Sequence, residues 1–319
     1  MSNIFDALQR AESESSGTQS PTLALATELL QAAEQKLRDF GSFSEPAASS
    51  TSVDSFESGA FSEPTDSPAN VDSFDSAPSS LLEGLDRCPV LPISIHDESR
   101  LVSLGKEGSL GAEKFRFLAV RLRQLRQNRP LKKVLITSTI PEEGKSTVAA
   151  NLACTLARRK PQKTLLLEGD LRRPNIAAQF GLGKLPGLCE WLSGETPTIH
   201  IYRLENLGVW ILPAGSAPEN PLELMQSGRL SPLMEQLEAW FDWIVIDSPP
   251  VLPLADTSLW SRLADGILLV TRKGTTEKQQ LQRGLEAIEK SKLLGALVNS
   301  SANAAHSDYY QRYSSPSTD

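Results

Sequence analysis

The segment TIPEEGKS (139–146) matches the pattern GxxxxGK[ST] at every position but the first, where Thr139 stands in place of glycine. An apolar run precedes it and a helical pattern follows, which places the loop between a strand and a helix N-terminus. Unpaired backbone N–H groups there attract an anion, so the amides of residues 142–146, from Glu142 and Glu143 through Gly144, would ring a phosphate. Lys145 would bridge the outer phosphates of a nucleoside triphosphate, and the hydroxyl of Ser146 would ligate magnesium, with Thr147 next in the helix. Gly144 is needed because a side chain would block the approach of the backbone. The side chains of Glu142 and Glu143 are expected to point away from the anion.

A carboxylate at the end of a second apolar strand must complete a magnesium shell. WIVIDS (243–248) supplies Asp247 after four apolar residues; otherwise it is a strand-end acid capping the next turn. LLLEGDLRRP (165–174) adds Glu168 and Asp170, two apart at another strand end, where both can face one crevice. One would join the metal shell and one would act as general base for an incoming hydroxyl. Arg172 and Arg173 follow, either to stabilise charge on a transferred phosphoryl group or as a solvated surface pair.

The elements that must carry these residues are legible from about Arg87 onward. VLITST (134–139), TLLLEGD (164–170), VWILPA (209–214), WIVIDS (243–248) and GILLVT (266–271) are short apolar runs, with GALVN (295–299) a weaker sixth. Helical patterns at 146–159, 221–241, 255–264 and 277–292 alternate with them. Apolar strands alternating with helices predict a doubly wound α/β domain, its mostly parallel sheet covered on both faces.

The formal net charge is −7, yet ten acids and no Lys or Arg lie between Arg38 and Arg87, so the remainder of the chain is net positive. Inside that acidic stretch FSEPAASSTSVDSFES (43–58) recurs as FSEPTDSPANVDSFDS (61–76), too polar to offset chain entropy and therefore read as disordered. Helical patterns precede it at 2–12 and from Ser20 to Leu37. The expected organisation is short N-terminal helices over 1–40, a disordered linker over 41–86, the α/β domain over 87–305 and a flexible tail over 306–319. Cys88, Cys154 and Cys189 are dispersed with no CxxC spacing, which argues against a structural zinc site and fits a reducing compartment. No signal peptide opens the chain, and no apolar stretch reaches the roughly 20 residues of a membrane span, so a cytoplasmic location is expected.

Three of the four tyrosines, Tyr309, Tyr310 and Tyr313, fall together in the polar ending SDYYQRYSSPSTD. Phenols on a solvated tail add nothing to a core and read as phosphoryl acceptors, the alternative being a tail that packs on a neighbour. From Asn299 to Tyr309 the chain spans up to about 33 Å, enough to reach another subunit's site.

Together these residues resemble the bacterial tyrosine autokinases of capsule and exopolysaccharide synthesis, a P-loop family related to partitioning ATPases. The likeness runs over about 90–313: Thr139–Thr147 resembles the family's Walker A, Leu165–Arg172 its second acidic motif and Ile244–Asp247 its Walker B, and LPGLCEWLSGE (185–195) and ILPAGSAPENPLELMQS (211–227) resemble further stretches. The resemblance implies Mg–ATP as phosphoryl donor. It makes Lys145, Glu168, Asp170, Arg172 and Asp247 catalytic, with Ser146, Asp170 and Asp247 on the metal and Glu168 or Asp170 taking the tyrosine proton. It also implies an adenine contact from Asn299, phosphorylation of the tail between subunits of a homo-oligomer, and a cognate tyrosine phosphatase. Activation is implied by a separate membrane chain-length regulator that recruits the kinase to the inner face of the plasma membrane; no nucleic-acid partner is expected. Two positions depart from the family pattern: the acidic motif opens with Glu168 rather than Asp, and in the oligomerising helix Glu113 and Arg116 are followed by Ala119, with Arg121 offset. Partitioning ATPases carry a lysine where this chain has Ile140, which argues against them. A catalytically weak ATP-binding scaffold or regulatory ATPase of the same machinery is the alternative reading.

Overall fold

The apolar runs become strands because each is buried on both sides. In the computed structural model, which describes residues 85–299 apart from 96–99, 106–108, 160 and 253–254, the sheet has eight strands. In chain order they are β1 (Val90–Leu91), β2 (Lys133–Ser138), β3 (Thr164–Glu168), β4 (Tyr202–Leu204), β5 (Val209–Leu212), β6 (Trp243–Asp247), β7 (Gly266–Arg272) and β8 (Leu293–Asn299). Their order across the sheet is β1-β4-β5-β3-β6-β2-β7-β8. Every pairing is parallel except β4 with β5, an antiparallel hairpin that the sequence reading did not anticipate. The N-terminal helices, the duplicated linker and the tail tyrosines lie outside the described residues.

Eight helices accompany the described strands: α1 (Leu110–Asn128), α2 (Lys145–Ala157), α3 (Ile176–Gln179), α4 (Leu188–Ser193), α5 (Pro221–Met225), α6 (Leu230–Trp240), α7 (Asp256–Leu263) and α8 (Lys278–Glu286). The expected helix over 221–241 is two helices, divided by a turn through Gly228. Side chains alternate across the sheet, so two apolar layers form. Along β6, Ile244 and Ile246 join the layer under α4, α6 and α7, while Trp243 and Val245 join the layer under α1 and α2. Helix α2 is buried from Val148 to Ala157, and its small residues Ala149, Ala150 and Ala153 let it press on the sheet. Helix α1, capped by Ser109 through the amide of Ala112, buries Ala112, Ala119 and Leu122 and leaves Phe117 and Val120 exposed. Among the described residues no helix is long and apolar enough to cross a membrane.

Candidate active site

Strand β2 lies between β6 and β7, so the loop that leaves it opens between the ends of its two neighbours. Loop 139–144 delivers the chain into α2, whose first residues are Lys145 and Ser146. No acid sits in the first turn of α2, which leaves its amides and dipole to attract an anion. Gly144 adopts φ 89°, and a Cβ there would lie 2.2 Å from Nδ2 of Asn299. Thr139 is accommodated where the pattern has glycine because helix α8 presents Gly284 opposite it. A Cβ on that glycine would meet Thr139 Cγ2 at 3.0 Å.

The two glutamates of the loop part company. Glu142 is exposed and holds φ 66°. Glu143, also expected to point away from the anion, is fully buried. Its carboxylate accepts hydrogen bonds from the amide of Ile140 at 2.8 Å, the amide of Arg272 at 3.2 Å and the hydroxyl of Thr276. Asn299, at the end of β8, donates its carboxamide N–H to the carbonyl of Glu143 at 2.9 Å.

Lys145 reaches across to Asp170, with Nζ to Oδ2 at 2.9 Å. Burial disfavours its charge, but Asp247, Asp170 and Glu168 outweigh that and raise its pKa. Asp247 receives a hydrogen bond from the Ser146 side chain, and its Oδ1 is buried without a partner. Burial pushes Asp247 up to about 7; Lys145 and Ser146 oppose the shift, while Asp170 and Glu168 add to it.

In register beside it, Glu168 ends β3 directly opposite Asp247. Its carboxylate is occupied: Oε1 accepts the amides of Asn175 and Ile176 at the start of α3, and Oε2 accepts the amide of Ala214 at 3.0 Å. Burial raises its pKa, although those three amides favour the ionised form. Glu168 is thus close enough to feel the charge of Asp170, but its oxygens are bonded to these amides and strap the end of β3 to its surroundings. Gly169 passes so close to its neighbours that a Cβ would lie 2.7 Å from Trp260 and 2.8 Å from the Asp247 carbonyl. The indole N–H of Trp260 binds the Gly169 carbonyl at 3.0 Å, and the Gly169 amide binds the Asp247 carbonyl at 2.7 Å. The turn is thereby fixed, and Asp170 is aimed at Lys145.

Arg172 is gripped by the buried carboxylate of Asp256 at the start of α7, with Nε to Oδ2 at 2.6 Å and Nη2 to Oδ1 at 3.1 Å. That hydrogen-bonded pair raises the arginine's pKa. Arg173 is exposed. The structure thus brings Lys145, Ser146, Asp170 and Asp247 together and places Asn299 against the phosphate loop. Asp256, Trp260 and the Glu143 side chain escaped sequence reasoning. An acid at the head of the helical pattern 255–264 was the only available hint for Asp256, and it reads as an ordinary cap.

Two features fit magnesium, a buried carboxylate oxygen without a partner and a hydroxyl beside it, while the nearby lysine fits the phosphate that would accompany the ion. Magnesium commonly takes one or two carboxylates and completes its shell with phosphate and water. This agrees with the finding that no group of three or more His, Cys, Asp or Glu among the described residues could hold a metal by itself.

A parallel sheet, a phosphate loop opening a helix and an acid closing the neighbouring strand define an α/β protein of the P-loop class. No protein-family model matches the chain. It is 35% identical over 215 residues to the tyrosine-protein kinase YwqD of Bacillus subtilis strain 168, covering 66% of this chain and 90% of that protein. It is 31% identical over 229 residues to the putative tyrosine-protein kinase CapB of Staphylococcus aureus, covering 70% and 96%. The crystal structure of the chimerical protein CapA2B2 superposes with a TM-score of 0.60 at 30% identity, covering 70% of this chain and 99% of that one. The chain belongs to the bacterial tyrosine-protein kinases.

Proposed function

We propose that this kinase transfers the γ-phosphoryl group of Mg–ATP to its own C-terminal tyrosines, Tyr309, Tyr310 and Tyr313, one copy acting on another. The observation that carries the reading is the meeting of Lys145, 2.9 Å from Asp170, with an Asp247 whose buried Oδ1 has no partner. Amides at the head of α2 and Lys145 bind the β and γ phosphates, and Asn299 borders the nucleotide. Ser146 and Asp247 would hold magnesium, which supplies charge neutralisation on those phosphates when bound.

Glu168 is held by three backbone amides, whereas Asp170 sits directly at Lys145, and Asp170 is therefore assigned as the base. The tyrosine oxygen attacks the γ-phosphorus, its proton passes to Asp170, and the bond to the β-phosphate oxygen breaks to release ADP. Arg172, oriented by Asp256, faces developing negative charge. Catalysis here is positioning and electrostatics. The wider setting, capsule or exopolysaccharide synthesis under a membrane partner and a cognate phosphatase, is part of the same proposal and rests on the family resemblance.

The test is mass spectrometry of the full chain after incubation with Mg–ATP, comparing wild type with Lys145→Ala. Phosphate on the tail tyrosines in wild type alone is the expected result. Tail labelling that persists in the variant would sink the assignment. Tyrosines that stay unmodified even beside a candidate membrane partner would point to an ATP-binding scaffold.

A further inference from the structure

A carboxylate two residues before the lysine of an anion-binding loop opposes the loop's purpose unless its charge is already used. Glu143 is 0% exposed, and donors converge on it from three places. The amide of Ile140 donates to Oε2 at 2.8 Å, which closes the loop on itself from its fifth position back to its second. On the other oxygen, the amide of Arg272 donates at 3.2 Å together with the Thr276 hydroxyl. That hydroxyl in turn accepts from Thr271 at 2.9 Å, so a chain of hydroxyls runs from the end of β7 into the loop. Between the two anchored residues lies Glu142 at φ 66°, a left-handed conformation that a residue with a Cβ keeps only where its surroundings over-determine it. The bond from Ile140 to Glu143 spans that residue and supplies the constraint.

We infer that the Glu143 carboxylate is a positioning group. It sets the shape of the phosphate loop and registers that loop to the end of β7. It acts through the backbone amides that follow it and not by touching a reacting atom. Asn299 completes the brace by binding the carbonyl of the same residue, and beyond Asn299 the chain continues toward Tyr309. Loop shape and the root of the tyrosine-bearing segment are therefore held by one buried residue. The inference rests on the reading of this loop as the ATP site.

The experiment uses the full chain and compares wild type with Glu143→Gln, Thr276→Val and Thr276→Ser. Three readouts are taken: binding of Mg–ATP, the KM and kcat of self-phosphorylation, and melting without nucleotide. Glu143→Gln and Thr276→Val should each weaken Mg–ATP binding and raise KM by about tenfold, the size expected for a buried hydrogen bond to a charged group, with kcat far less affected. Thr276→Ser, which keeps the hydroxyl, should restore wild-type affinity. The Glu143→Gln/Thr276→Val double variant should lose less than the sum of the two single losses, because the bond from Thr276 is shared by both. Should Glu143→Gln fail to fold, the threonine pair carries the test, since valine fills nearly the same space. Wild-type affinity in folded Glu143→Gln or Thr276→Val, or a Thr276→Ser that behaves like Thr276→Val, overturns the inference. A wild type that binds no Mg–ATP overturns the nucleotide reading itself, and this inference with it.

Discussion

Glu168 and Asp247 occupy registered positions at the ends of neighbouring strands β3 and β6, and each is 1% exposed. Around the end of β3 the loop to α3 and the segment after β5 turn three amides onto the Glu168 carboxylate. Around the end of β6 Asp247 has the Ser146 side chain as hydrogen-bond partner and the charge of Lys145 nearby, and Oδ1 has no partner. A fully bonded buried carboxylate holds structure, whereas one with a free oxygen is costly to keep unless something else uses it. Identical strand position and identical burial therefore yield a strap in one case and a ligand seat in the other. The deciding variable is what the neighbouring loops do with their amides.

The largest effect should come from removing the ligand seat. Asp247→Asn preserves shape and takes away the charge, so self-phosphorylation should fall by about a hundredfold or more. Melting of the nucleotide-free protein should be unchanged or higher, because a carboxamide there carries no buried charge. The pH dependence gives a second check. The folded state raises this acid from 3.8 to about 7, so between those values it binds a proton that the unfolded chain has released. Its contribution to stability therefore declines as pH rises through that window and is constant above it. Thermal melting of the nucleotide-free protein across about pH 4 to 8 should show this decline in wild type and less of it in Asp247→Asn. A variant that is destabilised and still active would reverse the comparison.

Next in size is the strap. Glu168→Gln keeps one acceptor oxygen but turns an NH2 group toward backbone N–H donors. Loss of about 2–4 kcal/mol is expected by chemical denaturation, since buried amides lose their acceptor. Any fall in kcat should follow from disorder of the turn that carries Asp170. If Glu168→Gln were as stable as wild type and inactive, Glu168 would belong with Asp247 as part of the reacting centre.

This division was only half legible in the sequence. Central strands such as β6 read clearly because burial on both faces makes them continuously apolar, and β8 read weakly because it lies at the sheet edge. Strand β4 was missed: it is three residues long, with Arg203 exposed between Tyr202 and Leu204. Helix α1 was hard to see from periodicity, since Phe117 and Val120 on its open face blur the apolar stripe. Lys145, Ser146 and Asp247 could be named because their chemistry is encoded in neighbouring residues. The roles of Glu168, Glu143 and Arg172 could not, because their partners Ala214, Thr276 and Asp256 are distant in the chain and meet them only after folding.

The smallest effect expected comes from Glu168→Asp, which restores the acid usual at this position in the resembled family. Seen from the sequence, Glu168 is an acid one methylene too long. In the structure that length lets a single carboxylate span the amides of Asn175 and Ile176 on one side and that of Ala214 on the other. A shorter acid pulled back toward the strand would keep one side and lose the other. The expected cost is about 1 kcal/mol of stability, the net worth of one such hydrogen bond. Initial rates of self-phosphorylation should stay within about threefold of wild type, because Asp170 and Asp247 are untouched. A rate raised by about tenfold with stability unchanged would mean the opposite. Residue 168 would then be a base held out of reach by its extra methylene, and the contrast between the two strand ends would be one of distance, not of bonding.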